Sequence, residues 1–175
     1  IDNKKYFKYY FPDLQPMIEE IPPFRERKLC TMIVRNWHPE HRKQIVAFFS
    51  AQRQGEFTFY GSPFPKLLYS KCYKGRIPGL NCGKEKIEIL KTYRFCICTE
   101  NSIDLNGYIS EKIFACFAAG CVPIYWGAPN IEEYIPKKCY IDYRDFKDLK
   151  DLYQFITTMK EESYNEYLNN IRHFL

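Results

Sequence analysis

The stretch YRFCICTENSIDLNGYISEKIFACFAAGCVPIYWGAPN, residues Tyr93 to Asn130, decides how this chain folds. Its first run, Arg94-Phe95-Cys96-Ile97-Cys98-Thr99, and its last, Val122-Pro123-Ile124-Tyr125-Trp126-Gly127, are short and mostly apolar, like strands covered on both faces. Between them Ile113, Phe114, Phe117 and Ala118 recur at helical spacing, with Ser110 at the N-cap position and Gly120 at the stop. A strand, a loop, a helix and a second strand therefore follow one another. The polar residues Glu100, Asn101, Tyr108, Ser110, Glu111 and Lys112 gather in the loop and first helical turn, where α/β sheets hold ligands.

The same alternation continues outward. Lys28 to Val34 is a strand candidate running into Arg35-Asn36-Trp37-His38-Pro39. Glu40 to about Gln52 carries a helical stripe of Ile45, Val46, Phe48 and Phe49, and Glu56 to Tyr60 is a second strand closed by Gly61. Ser62 to Gly83, rich in Gly, Pro and Lys, reads as a long loop, and Lys84 to Tyr93 as a short helix. On the other side come a helical turn over Asn130 to Pro136 and a fifth strand over Cys139 to Asp142. A helix from Phe146 to about Met159, capped by Asp145, and a last one over Glu162 to Leu175 complete the chain. Residues 1–27 have no sustained period and read as an irregular lead-in or interdomain segment, leaving 28–175 as the domain. The pattern predicts a doubly wound parallel α/β sheet, Rossmann-like, with right-handed crossovers. Its cleft collects the loops after Val34, Thr99 and Gly127.

With 175 residues, 18% of them aromatic and 27% charged, the chain has the composition of one packed globular domain. A net charge of +5, dispersed among acids, hints only weakly at anionic ligands, and there is no nucleic-acid-binding motif. No apolar run approaches the roughly 20 residues that span a bilayer, so no membrane association is expected of this chain. The eight cysteines include no Cys-x-x-Cys pair. Cys30, Cys96, Cys98, Cys116 and Cys121 lie in or beside apolar runs as buried thiols, and Cys72 and Cys82 flank a loop that an oxidising compartment could bridge. Reduced thiols point to a cytoplasmic chain, whereas bridged ones would point to an oxidising lumen.

The chemistry follows from the helix start. Unpaired amides and the positive dipole end suit a phosphate or diphosphate beside Ser110 to Lys112. Lys112 adds a charge, and Arg42 can add a forked one from the neighbouring loop. Arg42 opposes its own helix dipole, so it either gains something elsewhere or is a solvated surface arginine. Glu111 can accept two hydroxyl hydrogen bonds, as from a ribose diol, or be an ordinary acidic first-turn residue. Neither Gly-x-Gly-x-x-Gly nor a phosphate-binding Gly-Lys-Ser/Thr loop occurs, which disfavours dinucleotide oxidoreductases and P-loop NTPases. Of the three histidines, His38, His41 and His173, none falls in the cleft stretch, and no metal site is expected.

Three blocks resemble a known family: Phe95-Cys96-Ile97-Cys98-Thr99-Glu100-Asn101, Gly107-Tyr108-Ile109-Ser110-Glu111-Lys112, and Ala118 through Asn130. In order and spacing they look like the signature of the α-1,3/1,4-fucosyltransferases, glycosyltransferase family 10. The resemblance covers roughly residues 28 to 160 and implies the nucleotide-sugar half, the C-terminal half, of a GT-B fold. It implies inverting transfer of L-fucose from GDP-fucose to a hydroxyl of a glycan containing N-acetylglucosamine or glucose, without a cofactor. By that resemblance Glu111 matches the ribose-binding glutamate, Lys112 the phosphate-binding lysine and Arg42 the arginine facing the diphosphate. Asn101 and Tyr108 match positions lining the donor site. The general base and most acceptor contacts belong, in the family, to an N-terminal domain. The chain is therefore expected to be a donor-binding half, poorly active by itself. The alternatives are a transferase for another GDP-sugar or a non-catalytic nucleotide-sugar or glycan-binding module.

Overall fold

The computed structural model describes residues 14–62, 71–78 and 83–175. Five strands, β1 (Lys28–Val34), β2 (Phe57–Gly61), β3 (Tyr93–Thr99), β4 (Val122–Trp126) and β5 (Ile141–Asp142), form one sheet in the order β2-β1-β3-β4-β5. Every pairing is parallel, with Cys30 opposite both Phe57 and Phe95, and Thr99 opposite Trp126. Connections run through helices α1 (Glu40–Ser50), α2 (Lys84–Leu90) and α3 (Glu111–Ala118), and the chain ends in α4 (Leu149–Thr158) and α5 (Glu161–Phe174). The sheet is thus the doubly wound α/β arrangement that the alternation of elements predicts.

Parallel strands with helices on both faces must be apolar throughout, and they are. All of β3 except Arg94 is buried, as are the first four residues of β4. Phe49 of α1, Phe57 and Phe59 of β2, and Phe95 of β3 are each 2% exposed or less. Gly61 ends β2 at φ +133°, and a Cβ there would come within 2.5 Å of the Val34 carbonyl carbon, so only glycine fits this β1–β2 edge.

From β1 the chain winds outward to β2, then crosses back to lay β3 on the other side of β1. The loops after Val34 and Thr99 consequently diverge and leave a crevice at the carboxyl edge. The opposite, amino edge is closed. There the buried guanidinium of Arg27 donates to Tyr164 Oη at 2.6 Å, to the Gly120 carbonyl at 2.9 Å and to the Tyr93 carbonyl. The described part of the lead-in, residues 14–27, meets the sheet's helices here, with Ile18 N donating to the Ala118 carbonyl at 2.9 Å.

Several boundaries differ from the sequence expectation for local reasons. Strand β5 is two residues long because Lys137–Cys139 forms a 3₁₀ turn in place of its start. Helix α4 begins after Asp148, whose carboxylate accepts from Asp151 N, whereas Asp145 sits in a 3₁₀ turn, Tyr143–Asp145. Ser110 occupies the N-cap position of α3 but caps nothing with its side chain, because its hydroxyl is engaged elsewhere. Much of the loop expected between Ser62 and Gly83, with Cys82 and its pairing to Cys72, lies outside the described residues. The seven described cysteines are free thiols.

Candidate functional site

Thr99 ends β3, and the next residue, Glu100, is still held in the sheet by its amide, which donates to the Trp126 carbonyl at 2.8 Å. Its carboxylate is wholly buried and turns toward the start of α3. Oε1 accepts from Ser110 N at 2.8 Å and Ser110 Oγ at 2.9 Å, while Oε2 accepts from Lys112 Nζ at 2.8 Å. Lys112 also donates to Ser110 Oγ at 2.7 Å. One carboxylate therefore satisfies an orphan amide at the helix start, draws the serine hydroxyl away from capping and anchors the lysine. Gly127 makes room for it, since a Cβ there would lie 2.6 Å from Glu100 Cγ.

Arg42 resolves the tension noted in its position on α1. Its side chain crosses from α1 to β3 and is 2% exposed. Nε donates to Thr99 Oγ1 at 2.9 Å and NH2 to the Thr99 carbonyl at 2.6 Å. NH1 donates to the Asn36 carbonyl at 2.6 Å and to Asn101 Oδ1 at 3.0 Å. These bonds offset the unfavourable dipole and stitch together the two loops that diverge at the switch point. Burial lowers the Arg42 guanidinium below its usual range, with the Glu100 charge opposing the shift. Asn101 Nδ2 in turn faces Tyr108 Oη at 3.4 Å, and Tyr125 Oη lies 3.4 Å from the Tyr108 carbonyl. The tight turn at Gly107, φ +73°, is tied across by Asn130 Oδ1, which accepts from its amide at 2.8 Å.

All five residues singled out from the sequence, Arg42, Asn101, Tyr108, Glu111 and Lys112, line one cavity of about 540 Å³ at this crevice. The cavity also holds Arg35, Arg76 and Lys86, which the sequence reading passed over. Among the described lining residues, five cationic side chains thus face one carboxylate, Glu111. A signal for Lys86 exists in the sequence: it stands four residues before Leu90, on the apolar face of α2 with Ile87, where a surface lysine is out of place. Arg76 follows Gly75 in a segment without periodicity, and Arg35 follows a strand end, so neither carries a local signal.

His41 packs against Trp126 with ring centroids 4.7 Å apart and the planes tilted by 50°, and Trp126 lies flat on Tyr143 at 4.3 Å. Burial lowers the His41 imidazole below its usual range, aided by the neighbouring Arg42 charge. Behind the site, the sulfurs of Cys96, Cys98 and Cys116 lie within 4.8 Å of one another in the core. Burial pushes the thiols of Cys116 and Cys121 up, as expected of sulfurs packed as small hydrophobes.

Comparison with known proteins yields one family. The family described as Glycosyltransferase family 10 (fucosyltransferase) C-term matches residues 24–174. The 4-galactosyl-N-acetylglucosaminide 3-alpha-L-fucosyltransferase 9 of Bos taurus is 28% identical over 158 residues, which are 88% of this chain and 39% of that protein. The Homo sapiens protein of that name matches to the same extent. A putative fucosyltransferase-like protein of Arabidopsis thaliana is 41% identical over 69 residues, 39% of this chain and 12% of that protein. Among solved structures, an alpha1,3-fucosyltransferase with GDP superimposes with a TM-score of 0.65 at 22% identity, over 82% of this chain and 38% of that one. The alpha1,3-fucosyltransferase with GDP-fucose gives 0.63 at 24% identity, over the same shares. The chain therefore spans about two fifths of the length of these fucosyltransferase 9 relatives and solved chains. The C-terminal domain of a glycosyl transferase group 1 family protein from Francisella tularensis, with a TM-score of 0.51 at 13% identity, is covered over 84% of its length.

Proposed function

The chain belongs to glycosyltransferase family 10, and we propose that residues 28–175 form the GDP-fucose-binding domain of an α-1,3-type fucosyltransferase, with 1–27 as a lead-in or interdomain segment. The observation that carries this reading is the single cavity at the sheet's switch point, where Arg42, Asn101, Tyr108, Glu111 and Lys112 converge. Glu111 accepts from the ribose diol, and Lys112 with the amino end of α3 receives the diphosphate. Asn101 and Tyr108 border the fucose.

Breaking the bond between the fucose anomeric carbon and the diphosphate oxygen leaves negative charge on GDP, and positive charge must already be in place to receive it. Lys112 contributes a direct charge-assisted contact on the order of 1.5–3 kcal/mol. Arg42 adds its field from behind Thr99 and Asn101 while holding both in place. In an inverting transfer, a carboxylate base outside these residues deprotonates the acceptor hydroxyl as it attacks the face opposite the leaving group. The acceptor, a glycan containing N-acetylglucosamine or glucose, is held by that same outside region, so the chain alone transfers fucose poorly. No described helix is long and apolar enough to cross a membrane, and the free thiols support a cytoplasmic chain.

Calorimetric titration with GDP, GDP-fucose, GDP-mannose and a UDP-sugar tests the reading. Binding of GDP and GDP-fucose in preference to the UDP-sugar is expected. Equal or absent binding of all four refutes it, and tighter binding of GDP-mannose assigns the site to another sugar.

A further inference from the structure

We infer that Lys86 is a third cation of the donor site and contacts the diphosphate directly, an assignment that rests on the proposed function and extends it. Lys86 is 8% exposed and lines the same cavity as Glu111 and Lys112. It is the cation of that cavity most in need of a ligand. Arg42 gives four bonds to Thr99, Asn36 and Asn101, and Lys112 is held by Glu100 and Ser110. Among the described residues, the Lys86 ammonium meets no hydrogen-bonding or ion-pairing partner. A lysine whose stem is largely buried beside a cavity, and which no ion pair holds among the described residues, is placed to receive an anion there.

Helix α2 packs against α3. Lys86 lines the cavity together with Ser110, Glu111 and Lys112 at the beginning of α3. At the amino end of α3, Ser110 N is taken by Glu100, and the positive end of the helix dipole lies beside the cavity that Ser110, Glu111 and Lys112 line. Lys86 and Lys112 therefore flank one helix terminus, and two charges with oriented amides match a group with two phosphates better than one lysine does.

Titration of GDP into the wild-type chain, Lys86→Met and Lys86→Arg at low and high salt tests this. Lys86→Met is expected to weaken GDP binding about 10- to 100-fold and flatten its salt dependence, while Lys86→Arg stays within about fivefold of wild type. The melting temperature of Lys86→Met should stay close to that of wild type, since methionine keeps the buried stem and no ion pair among the described residues is lost. Lys86→Gln repeats the measurement should the methionine variant not fold. Wild-type affinity in Lys86→Met, or equal weakening by Lys86→Met and Lys86→Arg, overturns the assignment and leaves the proposed function standing. Failure of the wild-type chain to bind GDP overturns both.

Discussion

Glu100 and Asp142 stand at the carboxyl ends of neighbouring parts of one sheet, each is at most 2% exposed, and each receives a lysine, yet they are built for different ends. Asp142 is saturated. Arg144 grips it with Nε on Oδ1 at 2.9 Å and NH2 on Oδ2 at 2.7 Å, its amide adds a third bond at 2.9 Å, and Lys137 approaches at 3.3 Å. The remaining Arg144 donor, NH1, closes onto the Pro129 carbonyl at 3.1 Å, so the cluster locks β5 to the turn after β4. Glu100 instead holds a lysine and a hydroxyl. Lys112 has three N–H donors, and its bonds to Glu100 and Ser110 leave one for the cavity. A forked cation on a buried carboxylate makes a joint. A point cation on one makes a poised ligand contact.

The strongest way to break this comparison is to remove the cations that hold the two carboxylates in turn. Lys112→Met leaves Glu100 buried without its counter-charge, and a loss of about 3–5 kcal/mol in urea denaturation is expected, together with loss of GDP binding. Adding Glu100→Gln to it should recover most of the stability and none of the binding. Recovery of both would show that Lys112 serves only to neutralise Glu100.

Arg144→Ala is expected to cost roughly 1–3 kcal/mol and to leave GDP affinity within about twofold. Its pH dependence carries the sign. Burial alone would raise the Asp142 carboxyl, but the bonds from Arg144 outweigh it and hold the group below 3.8. A depressed folded value contributes stability that is fully present above the unfolded value and is lost as pH falls toward the folded one. Wild type should therefore lose this contribution only below about pH 4, and Arg144→Ala should show acid unfolding at a higher pH in a circular-dichroism titration. An unchanged acid midpoint would remove Asp142 from the account.

The smallest expected effect belongs to Asn101→Ala. Asn101 is exposed and touches Arg42 and Tyr108, so its loss should weaken GDP-fucose about threefold while leaving GDP and the melting temperature nearly unchanged. Equal weakening of both ligands would move Asn101 from the sugar to the nucleotide.

The fold was legible because it depends on local pattern. Apolar runs at β1, β3 and β4, a helical stripe at Ile113 to Ala118 and glycine stops at Gly61 and Gly120 each report a structure that forms over a few residues. The site was legible only in part. Glu111 and Lys112 sit at a helix start that periodicity locates, and Arg42 is conspicuous as a cation at the wrong end of a helix dipole. Ser110, by contrast, has the residue type and position of a cap, and its hydroxyl goes to Glu100, ten residues away in the chain. A cap preference is a local energy, and a buried carboxylate with a lysine outcompetes it. Lys86 was passed over because a lysine in a short helix is ordinarily solvated.

By itself the sequence determined the order and type of the elements, the parallel sheet and the group of polar residues between Thr99 and Ile113. Local periodicity, turn chemistry and apolar content are properties of neighbouring residues, and they survive without knowledge of the rest of the chain. Only the tertiary structure decided which charges are spent and which remain available. That distinction depends on partners brought together from distant segments, Arg42 to Thr99 across 57 positions and Glu100 to Lys112 across 12, and on Lys86 reaching the same cavity from a different helix. A cation's availability for a ligand is set by what else it already holds, and packing alone supplies that.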